Sequence, residues 1–172
     1  MKVGMPLNNH IAVVTGAGSG IGYAMATRLA QESIPIVAAD IDYQSASKTA
    51  DDIKTAGGKA TPVKADVSQT KDVREIFNHC EENFGPCTLL CNNAGHAQQK
   101  PFLDITIDDF DHMIAVHMRG MFLCAQTVLP KMLSSGDGVI INTASQLGYL
   151  GAIELAHYAA AKAGIIGLTR SM

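Results

Sequence analysis

The sequence has little that would direct it to a membrane or a nucleic acid. Its apolar runs stay well short of the ~20 residues of a membrane-spanning helix, and Met1 to Asn9 carry no apolar core of a signal peptide. Its 13 basic residues are outnumbered by 16 acidic ones, and no basic patch is interleaved with aromatic residues. We therefore predict a cytoplasmic protein with no membrane partner and no nucleic-acid partner.

The spacings of metal-binding and redox-active residues are also missing. The four cysteines, Cys80, Cys87, Cys91 and Cys124, include no CxxC pair, and the six histidines show neither HxxxH nor HExxH spacing. In a chain without a secretory signal, such cysteines are best interpreted as buried, reduced thiols. The sequence thus predicts no metal site.

Short apolar runs alternate regularly with helix-length segments. The 172 residues, 47% of them hydrophobic, suffice for one domain with a substantial core, predicted over residues 1–172. Five runs are predicted as strands: His10–Thr15, Pro35–Ala39, Ala60–Lys64, Thr88–Cys91 and Val139–Thr143. Because these runs are apolar throughout, they suit a parallel sheet buried on both faces. The predicted fold class is a doubly wound α/β fold with helices on both faces of the sheet.

Capping residues and apolar periodicity predict the helices. The first helix follows Ser19, with Ile21, Met25 and Leu29 as its apolar stripe. Ser68 is the predicted N-cap of a helix over Gln69–Asn83, and Thr106 with Asp109 resembles a capping pattern for a long helix toward Ser134. A further helix is predicted over Ala159–Met172.

A glycine-rich loop, Thr15–Gly22, follows the first predicted strand and opens the first predicted helix. Glycines allow the backbone to approach a pyrophosphate, and the helix N-terminus presents free N–H groups to it. A flexible turn is the alternative, but the position between strand and helix favours nucleotide binding. No Lys-Ser/Thr pair follows, which excludes a Walker loop. The candidate cofactor-binding residues in this loop are Gly16, Gly18, Ser19, Gly20 and Ile21.

Asp40 ends the second predicted strand and is the candidate acidic partner of the loop. A carboxylate there accepts hydrogen bonds from the adenosine ribose hydroxyls and repels a 2′-phosphate. No arginine follows Asp40 or lies in the loop to offset that charge. A turn-initiating aspartate is the alternative, but beside the loop Asp40 favours NAD over NADP as the cofactor.

Tyr158 and Lys162 lie one helical turn apart and so project from the same face of the last predicted helix. An ammonium beside a phenol stabilises the phenolate, which allows the phenol to act as general acid–base for a carbonyl/alcohol pair. Ser145 follows the fifth predicted strand, at the edge where α/β sheets bind ligands. Its hydroxyl is a candidate hydrogen-bond partner of the substrate oxygen, with a turn or capping serine as the alternative.

Taken together, these motifs resemble the short-chain dehydrogenase/reductase family, and in particular its 3-oxoacyl-carrier-protein reductase-like members. Thr15–Gly22 fits the TGxxxGxG loop, Asn92-Asn93-Ala94-Gly95 fits the NNAG motif, and Tyr158 to Lys162 fits YxxxK. The resemblance implies a Rossmann-type fold, with Asp66 and Val67 holding the adenine and Asn93, Ala94 and Gly95 lining the cofactor. It also implies that Tyr158 is the acid–base, that Ser145 orients the substrate oxygen, and that Lys162 binds the nicotinamide ribose.

Two features depart from the family pattern. His117 stands where an asparagine of a proton relay is expected, and it can support that relay, slow it, or be a core histidine satisfied by a backbone carbonyl. Members of the family also run to about two hundred and fifty residues and add further strands and a substrate lid after the YxxxK helix. We therefore expect the 172 residues to be part of a longer gene product.

The resulting prediction is an NAD-dependent oxidoreductase that transfers a hydride between NAD(H) and a small-molecule secondary alcohol or ketone. The alternative is a catalytically weak or inactive NAD-binding or interaction module that lacks the substrate lid. Apolar residues on the long helix and on the Tyr158 helix predict a homodimer or homotetramer. The residues expected to face the substrate are His96, Gln146, Leu147 and Leu155.

Overall fold

The computed structural model describes residues 10–172 and contains a parallel sheet flanked by helices. The strands are β1 (Ala12–Thr15), β2 (Ile36–Asp40), β3 (Ala60–Lys64), β4 (Leu89–Asn92) and β5 (Val139–Asn142). The helices are α1 (Gly20–Gln31), α2 (Tyr43–Thr55), α3 (Thr70–Asn83), α4 (Ile107–Ile114), α5 (Gly120–Ser135), α6 (Leu147–Leu150) and α7 (Ala156–Ser171). The expectation for Met1 to Asn9 lies outside the described residues.

The sheet has the order β3-β2-β1-β4-β5, and every neighbouring pair is parallel. The chain therefore moves outward from β1 to β3 and then returns to the other side of β1 for β4. This reversal creates a switch point between β1 and β4, where open α/β sheets form their ligand crevice. The predicted doubly wound α/β fold is confirmed.

Side chains alternate between two cores, one on each face of the sheet. Val13, Val37 and Leu90 pack against α3 and α5, whereas Val14 and Ala38 pack on the other face with residues of α1 and α2. The sheet is thus covered on both sides, as continuous apolar strands require. Met25 and Leu29 of the predicted α1 stripe pack against the second core, but Ile21 is 62% exposed and belongs to the cleft described below.

Most predicted strand bounds shift by one or two residues for a local reason. β1 begins at Ala12 because His10 and Ile11 are engaged elsewhere. The ring of His10 lies 3.1 Å from the Thr88 hydroxyl, and the Ile11 N–H donates to that hydroxyl over 3.0 Å. Only Ala60–Lys64 has the predicted bounds.

The predicted N-cap is confirmed for α4 and is wrong for α3. Thr106 and Asp109 form a reciprocal capping box at α4, as predicted. Ser68 is not the N-cap of α3, because Gln69 occupies that position and the Ser68 N–H donates instead to Asp66 Oδ1 over 2.9 Å. Asp66 therefore forms an Asx turn at the position where the sequence predicted a serine cap.

The predicted long helix is interrupted. After α4, residues Ala115–Arg119 form a π-helical segment, and α5 begins at Gly120. π-helical turns inside α-helices are found frequently at functional sites. No helix within residues 10–172 is long and apolar enough to cross a membrane.

Candidate active site

A cleft of about 570 Å³ runs across the carboxyl ends of β1, β2 and β4. Its volume lies within the range typical of ligand and cofactor pockets. Twelve of the predicted site residues line it: Gly16, Ser19, Gly20, Ile21, Asp40, Asp66, Val67, Asn93, Ala94, Gly95, Tyr158 and Lys162. The structure therefore brings most of the predicted site together on one surface, although Gly18 and Ser145 do not line it.

Gly16 and Gly22 of the first loop lie where the structure leaves no room for a Cβ atom. Gly16 has φ +65°, and a Cβ there would lie 2.9 Å from Ala94 Cα, so a side chain would separate the ends of β1 and β4. A Cβ on Gly22 would lie 1.9 Å from the Gly16 carbonyl oxygen. Gly22, which the sequence reasoning did not single out, therefore closes the loop. Its position as the last glycine of the loop was the available signal.

Gly18 faces away from the cleft, toward β2 and α2. Its N–H donates to Asp40 Oδ2 over 2.8 Å, and a Cβ would lie 2.6 Å from Ser45 Cβ. The other oxygen of Asp40 accepts from the Asp42 N–H over 3.0 Å. The Asp40 carboxylate is thus fixed at the cleft wall by two backbone donors, while each oxygen retains a further lone pair for a ligand.

Thr15 and Asn93 hold the glycine loop against the loop after β4. The Thr15 hydroxyl accepts from the N–H groups of Asn93 and Ala94, over 3.0 Å and 3.1 Å. The Asn93 side-chain amide donates back to the Thr15 carbonyl over 3.2 Å. Asn93 therefore lines the cleft and also fixes its floor. Thr15 was not predicted as a site residue, although its place as the first residue of the TGxxxGxG motif was an available signal.

Lys162 and Tyr158 meet at one end of the cleft. Lys162 is 3% exposed, and its Nζ donates to the Thr143 carbonyl over 2.7 Å. The same Nζ lies 5.6 Å from the centroid of the Tyr158 ring. Burial lowers the pKa of Lys162 below its ordinary value, because the charged form loses hydration.

His117, in the π-helical segment, packs edge-on against Tyr158 with ring centroids 5.5 Å apart. It is 3% exposed, and its Nε2 lies 2.8 Å from the carbonyl oxygen of His96 and 3.1 Å from the His96 nitrogen. Burial, followed by the charge of Lys162, lowers the pKa of His117 to about 4. Among the three alternatives for His117, this geometry favours a neutral core histidine satisfied by backbone.

A cavity of about 10 Å³ lies behind these side chains, between Lys162, His117, Asn92 and Thr143. This volume is close to the minimum that holds one water molecule. Within the described residues, the buried Asn92 Oδ1 and His117 Nδ1 accept or donate no hydrogen bond. These two unpartnered polar atoms make the cavity suited to a single bridging water.

Ser145 lies between β5 and α6, outside the cleft lining. Its hydroxyl oxygen accepts a hydrogen bond from the Leu147 N–H over 3.2 Å, which satisfies a free donor at the start of α6. This contact agrees with the turn alternative for Ser145, because Gln146 occupies the N-cap position of α6. Its proposed contact with a substrate oxygen stays a prediction.

The fold and the cleft define a Rossmann-type α/β protein with a glycine loop at the switch point of its sheet. A family model described as short chain dehydrogenase matches residues 10–172. The chain therefore belongs to the short-chain dehydrogenase family.

Individual relatives support the same family. The chain is 36% identical to a cyclohexanol dehydrogenase of Acinetobacter sp. (strain SE19), over 95% of this chain and 66% of the relative. It is 37% identical to a (3R)-3-hydroxyacyl-CoA dehydrogenase of Homo sapiens, over 96% of this chain and 67% of the relative. A 3-oxoacyl-(acyl-carrier-protein) reductase of Thermotoga maritima is 31% identical, with 97% and 68% covered. The chain thus spans about two thirds of the length of these relatives.

Proposed function

We propose that this chain carries the cofactor-binding and acid–base part of an NAD(H)-dependent oxidoreductase that interconverts a secondary alcohol and a ketone. The observation that carries the proposal is the buried Lys162 ammonium beside the Tyr158 ring at the end of a cofactor-sized cleft. The named activities of the relatives support this substrate class, since cyclohexanol and 3-hydroxyacyl groups both carry a secondary alcohol.

The residues of the cleft fit a nicotinamide dinucleotide. The glycine loop opens α1, so the first N–H groups of this helix face the cleft and suit a pyrophosphate. Asp40 stands at the cleft wall for the adenosine ribose, and Asp66 with Val67 lines the position proposed for the adenine. The fixed carboxylate of Asp40 favours NAD over NADP, because a 2′-phosphate beside it would meet a like charge.

Bound NAD(H) would supply or accept the hydride, and the chain would manage the proton. In the reductive direction, the Tyr158 hydroxyl donates its proton to the substrate oxygen as the alcohol forms. Lys162, held by Thr143, stabilises the phenolate that remains and binds the nicotinamide ribose. The water-sized cavity behind Lys162 offers a site for one water molecule beside the ammonium. Ser145 orients the substrate oxygen in this proposal, which requires a contact beyond the one it makes with Leu147.

A catalytically weak NAD-binding or interaction module is the second candidate. The position of Ser145 outside the cleft lining favours it. Tight NADH binding without turnover on any ketone or alcohol would support the module over the enzyme.

Substitution of Tyr158 by phenylalanine tests the acid–base role. We expect Tyr158→Phe to lower kcat by at least about 10²-fold, the usual contribution of a general acid–base, while the Kd for NADH changes little. NADH oxidation at 340 nm against a panel of ketones measures the first quantity, and NADH fluorescence titration measures the second. Tyr43 at the start of α2 is about half exposed, so Tyr43→Phe is the matched control and should behave as the parent. Retention of kcat in Tyr158→Phe would refute the role.

We also propose that the protein is a homodimer or homotetramer. Ile107 and Phe110 of α4 and Phe122 and Leu133 of α5 are exposed apolar side chains on the interrupted long helix. An association between copies would cover them, as apolar patches at interfaces do.

A further inference from the structure

We propose that Gln98 is a positioning residue for Tyr158, acting through His157 at the start of α7; the proposal rests on the proposed function. Gln98 lies in the loop after β4, outside the motifs that the sequence reveals. It contacts both the residue that precedes Tyr158 and the capping box of α4.

The contacts form one continuous chain from α4 to α7. Gln98 Nε2 donates to Asp109 Oδ1 over 2.9 Å, and Gln98 Oε1 lies 3.0 Å from His157 Nε2. Asp109 Oδ2 is held by Lys100 Nζ at 2.5 Å and by the Thr106 hydroxyl at 2.7 Å. His157 is 1% exposed, so its ring is enclosed where it meets Gln98.

The charge of Asp109 at one end of this series of hydrogen bonds determines which partner donates in the Gln98–His157 hydrogen bond at the other end. The Lys100 ammonium, followed by the Thr106 and Gln98 donors, holds the pKa of Asp109 well below its usual range. An ionised carboxylate only accepts hydrogen bonds, so Gln98 must turn its NH₂ group toward Asp109 and its oxygen toward His157. His157 must then carry its proton on Nε2, and its buried Nδ1, which has no partner among the described residues, need not donate. A single amide orientation therefore selects a single imidazole tautomer.

The backbone around the start of α7 shows why such a restraint is needed. The segment before α7 contains Glu154 with φ +62°, a left-handed conformation that costs a non-glycine residue about 1 kcal/mol or more. The Lys100 N–H donates to the Glu154 carbonyl over 2.8 Å, so the loop that carries Gln98 also holds this strained residue. Tyr158 lies in the first turn of α7, where a helix has few hydrogen bonds of its own. The hydrogen bonds through Gln98 supply the restraint that this turn lacks.

Gln98→Met tests the proposal, because methionine keeps the volume but neither donates nor accepts as an amide does. We expect kcat to fall about tenfold, since small misplacements of a reacting group are costly, while the Kd for NADH stays within about twofold. Ring ¹⁵N NMR should change from one His157 tautomer to a mixture. The Ala159 amide, which donates to Leu155 across the first turn of α7, should exchange with solvent about tenfold faster.

The controls separate positioning from general packing. Gln99 is exposed and adjacent, so Gln99→Met should match the parent in every measurement. His157→Gln keeps a donor within reach of Gln98 and should retain kcat within about threefold, whereas His157→Leu should resemble Gln98→Met. This rescue pattern would not arise from loss of packing alone.

The outcomes are distinguishable from those of the proposed function. If the parent protein turns over no ketone or alcohol, the proposed function fails, and the NMR and exchange measurements still decide whether Gln98 orders the start of α7. An unchanged His157 tautomer in Gln98→Met would overturn the inference, with or without a loss of kcat. A changed tautomer with an unchanged kcat in an active parent would overturn it as well.

Discussion

Asp40 combines a structural and a selective role in one carboxylate. One oxygen accepts from the glycine loop at Gly18, and the other accepts from Asp42 at the start of α2. Loss of the whole side chain would therefore disturb the loop together with the charge. An asparagine removes the charge and keeps the size of the side chain and one acceptor oxygen, although it loses one of the two backbone hydrogen bonds.

We expect Asp40→Asn to raise the preference for NADP relative to NAD by about tenfold or more, equivalent to about 1.4 kcal/mol. The like-charge repulsion of a 2′-phosphate would be removed, while the ribose keeps a polar partner. Fluorescence titrations with NADH and NADPH measure the ratio of the two Kd values. Asp42→Asn is the matched control, because asparagine caps a helix as well as aspartate and Asp42 does not line the cleft. An unchanged ratio in Asp40→Asn would show that Asp40 does not select the cofactor.

At the residue scale, the sequence predicted those cleft residues whose positions follow directly from the strand ends. Gly16, Asp40 and Asn93 follow strand ends, and the carboxyl ends of parallel strands meet at one edge of the sheet. Gly18 was assigned to the cofactor because spacing cannot tell which glycine faces the ligand and which faces a neighbouring helix. Gln98 and His157 were not found, because their contact depends on how the loop after β4 packs against α7.

At the scale of elements, the loop after β4 packs tightly against the π-helical segment. A Cβ on Gly95 would lie 2.3 Å from His117 Cε1 and 2.7 Å from its Nδ1. The His117 ring has little freedom to move, since it is bonded to the His96 backbone on one side and packs edge-on against Tyr158 on the other. A side chain at position 95 would therefore clash with the His117 ring.

We expect Gly95→Ala to lower the free energy of unfolding by about 2 kcal/mol, because its methyl group would overlap the confined His117 ring, and to lower kcat as that ring moves. The double variant Gly95→Ala with His117→Asn should recover most of the stability, because the smaller side chain leaves room for the methyl group. Urea denaturation measures both. Gly167→Ala in α7, where a Cβ meets nothing within 4 Å, is the control and should be neutral or stabilising. Equal losses in the single and double variants would contradict the proposed clash.

The interruption of the long helix shows what periodicity cannot predict. The apolar pattern from Asp109 to Leu133 is compatible with one continuous helix, and nothing in it indicates the π-helical turn at Ala115–Arg119. That turn carries His117 into the site, so the departure from regular helix coincides with the departure from the family motif. The capping box at Thr106 was predictable because it depends on residues three apart on one chain segment.

For the molecule as a whole, His117 makes stability depend on pH. Its pKa of about 4 in the folded protein lies below the ordinary value of 6.5, chiefly because of burial. Between these two values the unfolded chain binds a proton that the folded chain does not, so the free energy of unfolding falls as the pH falls through this window. His96, whose pKa is lowered by burial and by His112 and His157, acts in the same direction.

We expect the free energy of unfolding to decrease by about 2 kcal/mol between pH 7 and pH 5 on account of His117. The lowered pKa of Asp109 does not affect this interval, because a carboxyl group with a depressed pKa loses its stabilising effect only when the pH falls below its unfolded value. Urea denaturation at the two pH values should therefore give a large decrease for the parent protein and a much smaller one for His117→Asn. An equal decrease in both proteins would show that the buried histidine is not the source. The comparison also bears on the candidate active site, because a histidine that stays neutral to about pH 4 carries no charge beside Lys162 at neutral pH.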